Sequence, residues 1–198
     1  VVYAVFRIWQ LSRRRFSAPA PGSVVLISGC STGIGHDAAV ALAHAGFITL
    51  AGVRSESDAA KLRAEQIDGL IPIYLDVTNI EQINAAVVKI KQTGPLAAVV
   101  NNAGLSVGWV AEMLDEAQMR SIFDVNVFGT IRLIHACCPL LRASKGRIVN
   151  ISSVEGFWAR PGKGLYAATK FAIEGFSDAM RRELVPFGIS VSVVQPGA

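Results

Sequence analysis

Short apolar runs rich in Val, Ile and Leu recur along the chain, at Val24 to Ser28, Phe47 to Val53, Ile71 to Leu75, Leu96 to Val100, Arg147 to Ile151 and Ile189 to Val194. Each run is continuous and not alternating, the pattern of a strand covered on both faces. Between the runs, apolar positions return every three or four residues, which predicts helices over 35–45, 57–65, 79–92, 115–142 and 163–187. Six such strands separated by helices make a doubly wound α/β domain, a parallel sheet with helices on both faces. No internal repeat or low-complexity segment breaks the alternation. In folds of this kind a ligand binds outside the carboxyl ends of the strands, where the topology reverses. The residues that follow each strand are therefore where chemistry is to be sought.

Composition and charge add two things. The 198 residues are 52% apolar and 17% charged, a globular composition for one domain, and no apolar run approaches the roughly 20 residues of a bilayer-spanning helix. Three Cys, two of them adjacent, form no disulfide framework and show no metal-ligand spacing, so no metal is expected. The net charge is +4, but four of the 19 basic residues and none of the 15 acids lie in the first twenty positions. The rest is balanced, which argues against a nucleic-acid-binding face. Residues 1–22 thus stand apart from 23–198 as an apolar and then basic arm: Val1 to Trp9, Arg13 to Arg15, and a Pro/Ala/Gly/Ser linker. Two readings of the arm stand, the remnant of a membrane anchor with its arginines on the cytosolic side, or an extension solvated in water. Basic residues after the apolar stretch do not fit a secretory signal. At the other end, the last strand is followed only by Gln195 to Ala198, and truncation at both ends is expected.

The motifs follow the strands. After the first comes Ser28-Gly29-Cys30-Ser31-Thr32-Gly33-Ile34-Gly35, opening a helix. Glycines there allow a tight turn and bring a pyrophosphate close to free helix N–H groups, which points to a dinucleotide. After the second strand stands Arg54, where an acid would meet the ribose hydroxyls of NAD(H). An arginine suits a 2′-phosphate, favouring NADP(H) with NAD(H) as the alternative, or is a solvent-facing strand end. Asp76-Val77 and Asn101-Asn102-Ala103-Gly104 follow the third and fourth strands; Asp76 can accept from an adenine amine, and the Asn/Gly turn can floor the same site, or both are plain caps and turns. Ser152-Ser153 ends the fifth strand. Tyr166 and Lys170, at i and i+4, share a helix face. An ammonium one turn from a phenol is expected to lower its pKa and fit it for proton transfer to a carbonyl or from an alcohol. A packed aromatic beside a surface cation is the plainer reading.

Ser28-Gly-x-x-x-Gly-x-Gly35, Asp76, Asn101-Asn-Ala-Gly104, Asn126, Ser153, Tyr166-x-x-x-Lys170 and Pro196-Gly197 together resemble the short-chain dehydrogenase/reductase family over about residues 23–198. The resemblance implies a Rossmann-type fold, NAD(P)(H) held by Gly29, Ser31, Gly33, Ile34, Gly35, Arg54, Asp76, Val77, Asn102, Ala103, Gly104, Tyr166, Lys170, Pro196 and Gly197, and a catalytic set of Asn126, Ser153, Tyr166 and Lys170. It selects Ser153 over Ser152, assigns Asn126 a water that links Lys170 to solvent, and implies pairing of subunits through the long helices. The stretch Phe171 to Gly188 looks like the branch that holds retinol, 17β-hydroxysteroid and hydroxybutyrate dehydrogenases, several of them membrane-anchored. The family continues past Pro196-Gly197 into a substrate segment and a last strand that this sequence lacks. With the apolar positions Leu105, Val107, Phe157, Trp158 and Leu165, these features imply an alcohol–carbonyl oxidoreductase acting on a retinoid, steroid or related lipid. It would be membrane-associated, of endoplasmic-reticulum type, or cytoplasmic. A nucleotide-binding scaffold without catalysis and a 3-ketoacyl reductase are the rival readings.

Overall fold

The computed structural model describes residues 19–197 other than 107 and 109. The arm's first eighteen residues, on which the anchor reading rests, and Val107 lie outside the described residues. Six strands form, β1 Val24–Ile27, β2 Ile48–Val53, β3 Leu70–Tyr74, β4 Leu96–Asn101, β5 Arg147–Ile151 and β6 Ser190–Val194. They make one parallel sheet in the order β3-β2-β1-β4-β5-β6, which reverses direction between β1 and β4. The helices are α1 Gly33–His44, α2 Glu56–Ala64, α3 Ile80–Thr93, α4 Glu116–Phe123, α5 Thr130–Ser144 and α6 Gly164–Glu183.

Alternate residues of each strand feed two cores. Val24 and Leu26 of β1, Leu50 of β2 and Val99 of β4 pack with Ile83 and Ile90 of α3, Leu133 and Leu141 of α5, and Phe176 and Met180 of α6. Val25, Ile27, Ala51 and Val53 point the other way, onto Ala39 and Ala43 of α1 and Ala59 and Leu62 of α2. Residues buried on both faces explain why the strands read as unbroken apolar runs. At one edge, β3 carries Pro72 opposite Ala51; a sheet tolerates a residue with no N–H there and not in its centre.

Two predicted boundaries move. The helix expected over 115–142 is divided, with a π-helical turn, Asp124–Gly129, between α4 and α5. The helix expected to reach 187 ends at Glu183, and Pro186 lies in a separate 3-10 turn, Val185–Phe187, because a proline in mid-helix would remove a bond and clash with the preceding turn. Among the described residues, no helix is long and apolar enough to cross a membrane.

Candidate active site

The site lies at the carboxyl ends of β1, β2, β4 and β5. Gly29 leaves β1 with φ of +72°, a conformation natural to glycine, and a Cβ on it would stand 2.8 Å from Ala103 Cα. A Cβ on Gly35, one turn into α1, would stand 2.3 Å from both the Gly29 carbonyl oxygen and Asn102 Nδ2. These two glycines let the β1–α1 turn, the start of α1 and the loop after β4 touch backbone to backbone. The contact is fastened by Asn102, whose Nδ2 donates to the carbonyls of Ser28 (3.0 Å) and Gly29 (2.8 Å). The buried Ser28 hydroxyl completes it, accepting from the N–H groups of Asn102 (3.1 Å) and Ala103 (3.0 Å).

A hollow of about 290 Å³ opens on this junction, lined by Gly29, Ser31, Thr32, Arg54, Asp76, Val77, Asn102, Ala103 and Gly104 among others. The N-terminus of α1 faces it with no side-chain cap at Thr32, whereas α2, α3 and α4 are capped by Ser55, Asn79 and Asp115. Its first N–H groups are left for an anion. Arg54 stands exposed at the end of β2. Asp76 Oδ1 accepts from the N–H (2.8 Å) and hydroxyl (2.7 Å) of Thr78, so this carboxylate also braces its own turn. The uncapped helix end and a floor that admits no Cβ fit a dinucleotide pyrophosphate.

A second hollow of about 250 Å³ adjoins the first through Asn102, Gly104 and Leu105, and is lined as well by Ile34, Ser106, Ser152, Ser153, Tyr166, Lys170, Pro196 and Gly197. Ser153 and Ser152 both line this hollow, and of the two it is Ser153 that acts on the Tyr166 phenol, lowering its pKa; the Ser152 hydroxyl is buried without a partner and lies 2.6 Å from where a Cβ of Gly156 would stand. Lys170 Nζ lies 5.5 Å from the centre of the Tyr166 ring and donates to the Ile151 carbonyl at 2.8 Å. Burial pushes the Lys170 ammonium down to about 8, with Glu174 opposing.

Here an expectation fails. The phenol is pushed up, not down: burial raises it, the Ser153 hydrogen bond lowers it, and the charge of Glu155 raises it again. An ammonium that is itself half-neutral near pH 8 is a weak electrostatic partner, so desolvation wins.

Gly33, Gly35 and Asn126 line neither hollow. Asn126 sits buried in the π-helical turn and straps the loop after β4: it accepts from Leu105 N–H (2.7 Å) and donates to the Leu105 carbonyl (2.9 Å) and Thr169 Oγ1 (3.0 Å). Its main-chain carbonyl receives the Thr130 hydroxyl at 3.0 Å. Phe157 and Trp158 stand exposed on the loop before α6. Cys30 is buried and inert, its thiol pushed up to about 12 by burial.

Sequence reasoning passed over Lys163, Glu155 and Arg160. Lys163 Nζ donates to Ser106 Oγ at 3.0 Å and lies 6.0 Å from the Tyr166 ring; its place three residues before Tyr166 was a usable signal. Glu155 and Arg160 carried none, since only the folded loop brings the two together.

A family model for short chain dehydrogenase matches residues 23–198. The chain is 38% identical to the mouse mitochondrial D-beta-hydroxybutyrate dehydrogenase, over 94% of this chain and 58% of that protein. It is 37% identical to rat retinol dehydrogenase 16, over 98% of this chain and 63% of that protein. The chain thus spans about three fifths of the length of these relatives. Among solved structures, a short-chain dehydrogenase from Streptomyces avermitilis superposes with a TM-score of 0.83 at 36% identity, covering 92% of this chain and 67% of that one. A gluconate 5-dehydrogenase from Burkholderia cenocepacia, in complex with NADP and tartrate, gives 0.83 at 29% identity over 90% and 72%.

Proposed function

Since the chain belongs to the short-chain dehydrogenase family, we propose that it serves an NADP(H)-preferring oxidoreductase that interconverts an alcohol and its carbonyl. The observation that carries this reading is the convergence of Ser153, Tyr166 and Lys170 on one hollow continuous with the cleft over the β1–α1 turn. Ser31, Asn102, Gly104 and the α1 N-terminus would hold the dinucleotide, with Arg54 at a 2′-phosphate, and the nicotinamide supplies or takes the hydride. The chain's own part is the proton. Ser153 orients the substrate oxygen, and the Tyr166 phenol gives its proton to that oxygen in reduction or takes it in oxidation. Lys170 draws on solvent through a water at Asn126.

An apolar substrate of the retinoid or steroid kind is supported by the retinol dehydrogenase relatives and by the exposed Phe157 and Trp158. A second substrate reading rests on Lys163: an ammonium beside the phenol suits a hydroxy acid, the class named in the hydroxybutyrate dehydrogenase relatives. A homodimer paired through α5 and α6 and a membrane-facing arm complete the proposal, the arm supported by its apolar stretch followed by Arg13 to Arg15. The test is NADPH consumption by the full-length protein on a panel of retinal, a ketosteroid and acetoacetate, with Tyr166→Phe as the comparison. Turnover lost by about 10²–10⁴-fold in the variant supports the mechanism. Equal rates overturn it, and NADPH binding without turnover on any carbonyl favours a scaffold.

A further inference from the structure

The charge of residues 23–198 balances in sum but not in place. Lys61, Arg63, Arg120, Arg132, Arg160 and Arg181 each meet an acid in an ion pair. Lys89 and Lys91 near the C-terminus of α3, Arg142 and Lys145 at that of α5, and Arg182 at that of α6 are all exposed. None of these joins an ion pair among the described residues. Over 89–95, 142–146 and 181–189 the one acid is Glu183. A single cation at a helix C-terminus serves the dipole; five unpaired cations at one end of the molecule go beyond that.

These helices end where β4, β5 and β6 begin, at the end of the sheet away from the active site, and the arm's linker joins the domain there. Pro19, Ala20 and Ser23 line a hollow of about 270 Å³ with Ser144, Lys145 and Arg147. Gly22 N–H donates to the Gly46 carbonyl at 2.8 Å, and Val24 N–H to that of Pro95 at 2.9 Å. Phe187 is 43% exposed beside the cations, its ring centre 4.0 Å from the Arg142 guanidinium. We propose that this amino-end face of the sheet docks on an anionic membrane surface, with Lys89, Lys91, Arg142, Lys145 and Arg182 toward the lipid headgroups. Each cation near such a surface is worth about fivefold in partition. A nucleic acid is the poorer fit, because an exposed aromatic among the cations, and the apolar stretch Val1 to Trp9 joined to this face by the linker, suit a lipid interface. The hollow of Tyr166 lies roughly 15–20 Å of strand away, so docking leaves it open to water.

The test is flotation of the full-length protein with phosphatidylcholine vesicles, with and without about one third phosphatidylserine. The parent is expected to partition more tightly onto the anionic vesicles. Arg142→Gln with Lys145→Gln is expected to lose about 30-fold there and nothing on the neutral ones, and Lys89→Gln with Lys91→Gln should lose as much. Both variants keep the arm, so its contribution cancels; should one pair not fold, the other decides. Arg63→Gln with Arg120→Gln removes the same charge elsewhere and is expected to lose no more than about threefold. An equal loss in that control, no loss in the test pairs, or equal binding of the parent to both vesicles overturns the proposal. Tighter binding of the parent to a single-stranded RNA, lost in the same test pairs, would assign the face to nucleic acid and overturn it too. Turnover is not read, so the docking and the oxidoreductase reading stand or fall separately.

Discussion

Tyr166 and Lys170 show how far a residue pattern reaches. Their i, i+4 spacing was enough to place them on one face, and the structure sets them 5.5 Å apart, ring centre to ammonium. The direction of the phenol's shift was not legible, because it depends on how much water the fold removes and on Glu155, which arrives from another element. Lys170 carries a consequence for stability. Its folded pKa of about 8 lies below the ordinary 10.5, so between those values the unfolded chain holds a proton that the folded chain does not. Stability therefore rises with pH in that window and is lost as pH falls through about 8. Buried Cys30 and Cys137, whose thiols are pushed from 9.0 up to about 12, act in the opposite sense from about pH 9, so the Lys170 share is read as a difference: the parent should gain about 2 kcal/mol relative to Lys170→Met between about pH 8 and about 9.5 in denaturant titrations. Arg54, exposed on the rim of the first hollow, predicts a selectivity change: Arg54→Asp should weaken NADPH binding about tenfold or more while sparing NADH, as read by nicotinamide fluorescence. Equal losses on both cofactors would count against a 2′-phosphate role.

At the scale of elements, the strands and most helices were readable because burial on two faces leaves continuous apolar runs and burial on one leaves a helical period. The π-helical turn at Asp124–Gly129 was not, since one widened turn disturbs that period too little to register over six residues. Yet that turn carries Asn126, whose carboxamide holds both backbone groups of Leu105 and so fixes the loop shared by the two hollows. The glycine turn was legible as a motif, but its three glycines were not separable by spacing. Gly35→Ala would press a methyl to 2.3 Å from the Gly29 carbonyl oxygen and should cost about 1–3 kcal/mol in denaturant melts, with a larger proportional loss of NADPH affinity if Gly29 lines the proposed dinucleotide cleft. Gly175, exposed in mid-α6 with open space around its Cβ position, is the contrast: Gly175→Ala should gain roughly 0.5–1 kcal/mol.

For the whole molecule, strand order follows from the alternation of elements together with the right-handed crossover, and the two cores follow from strand parity. The pairing of subunits does not, because both partners' faces must be known. Phe171 on α6 and Phe128 in the π-helical turn are 46% and 51% exposed, the kind of apolar surface that a second copy would cover. Sedimentation of the full-length protein should show a dimer, and Phe171→Glu should render it monomeric without lowering its melting temperature; a monomeric parent would refute pairing through these helices. Pro72 makes the two borders of the sheet unlike. Past β3, an incoming strand would meet a residue with no N–H to offer and a ring in its way. Past β6, it would meet Ser190–Val194, a run without proline. Beyond that run lie Pro196 and Gly197, which line the hollow of Ser153 and Tyr166. The border at β6 is thus the one open to a further strand, and a strand added there would lie next to the hollow of Ser153 and Tyr166.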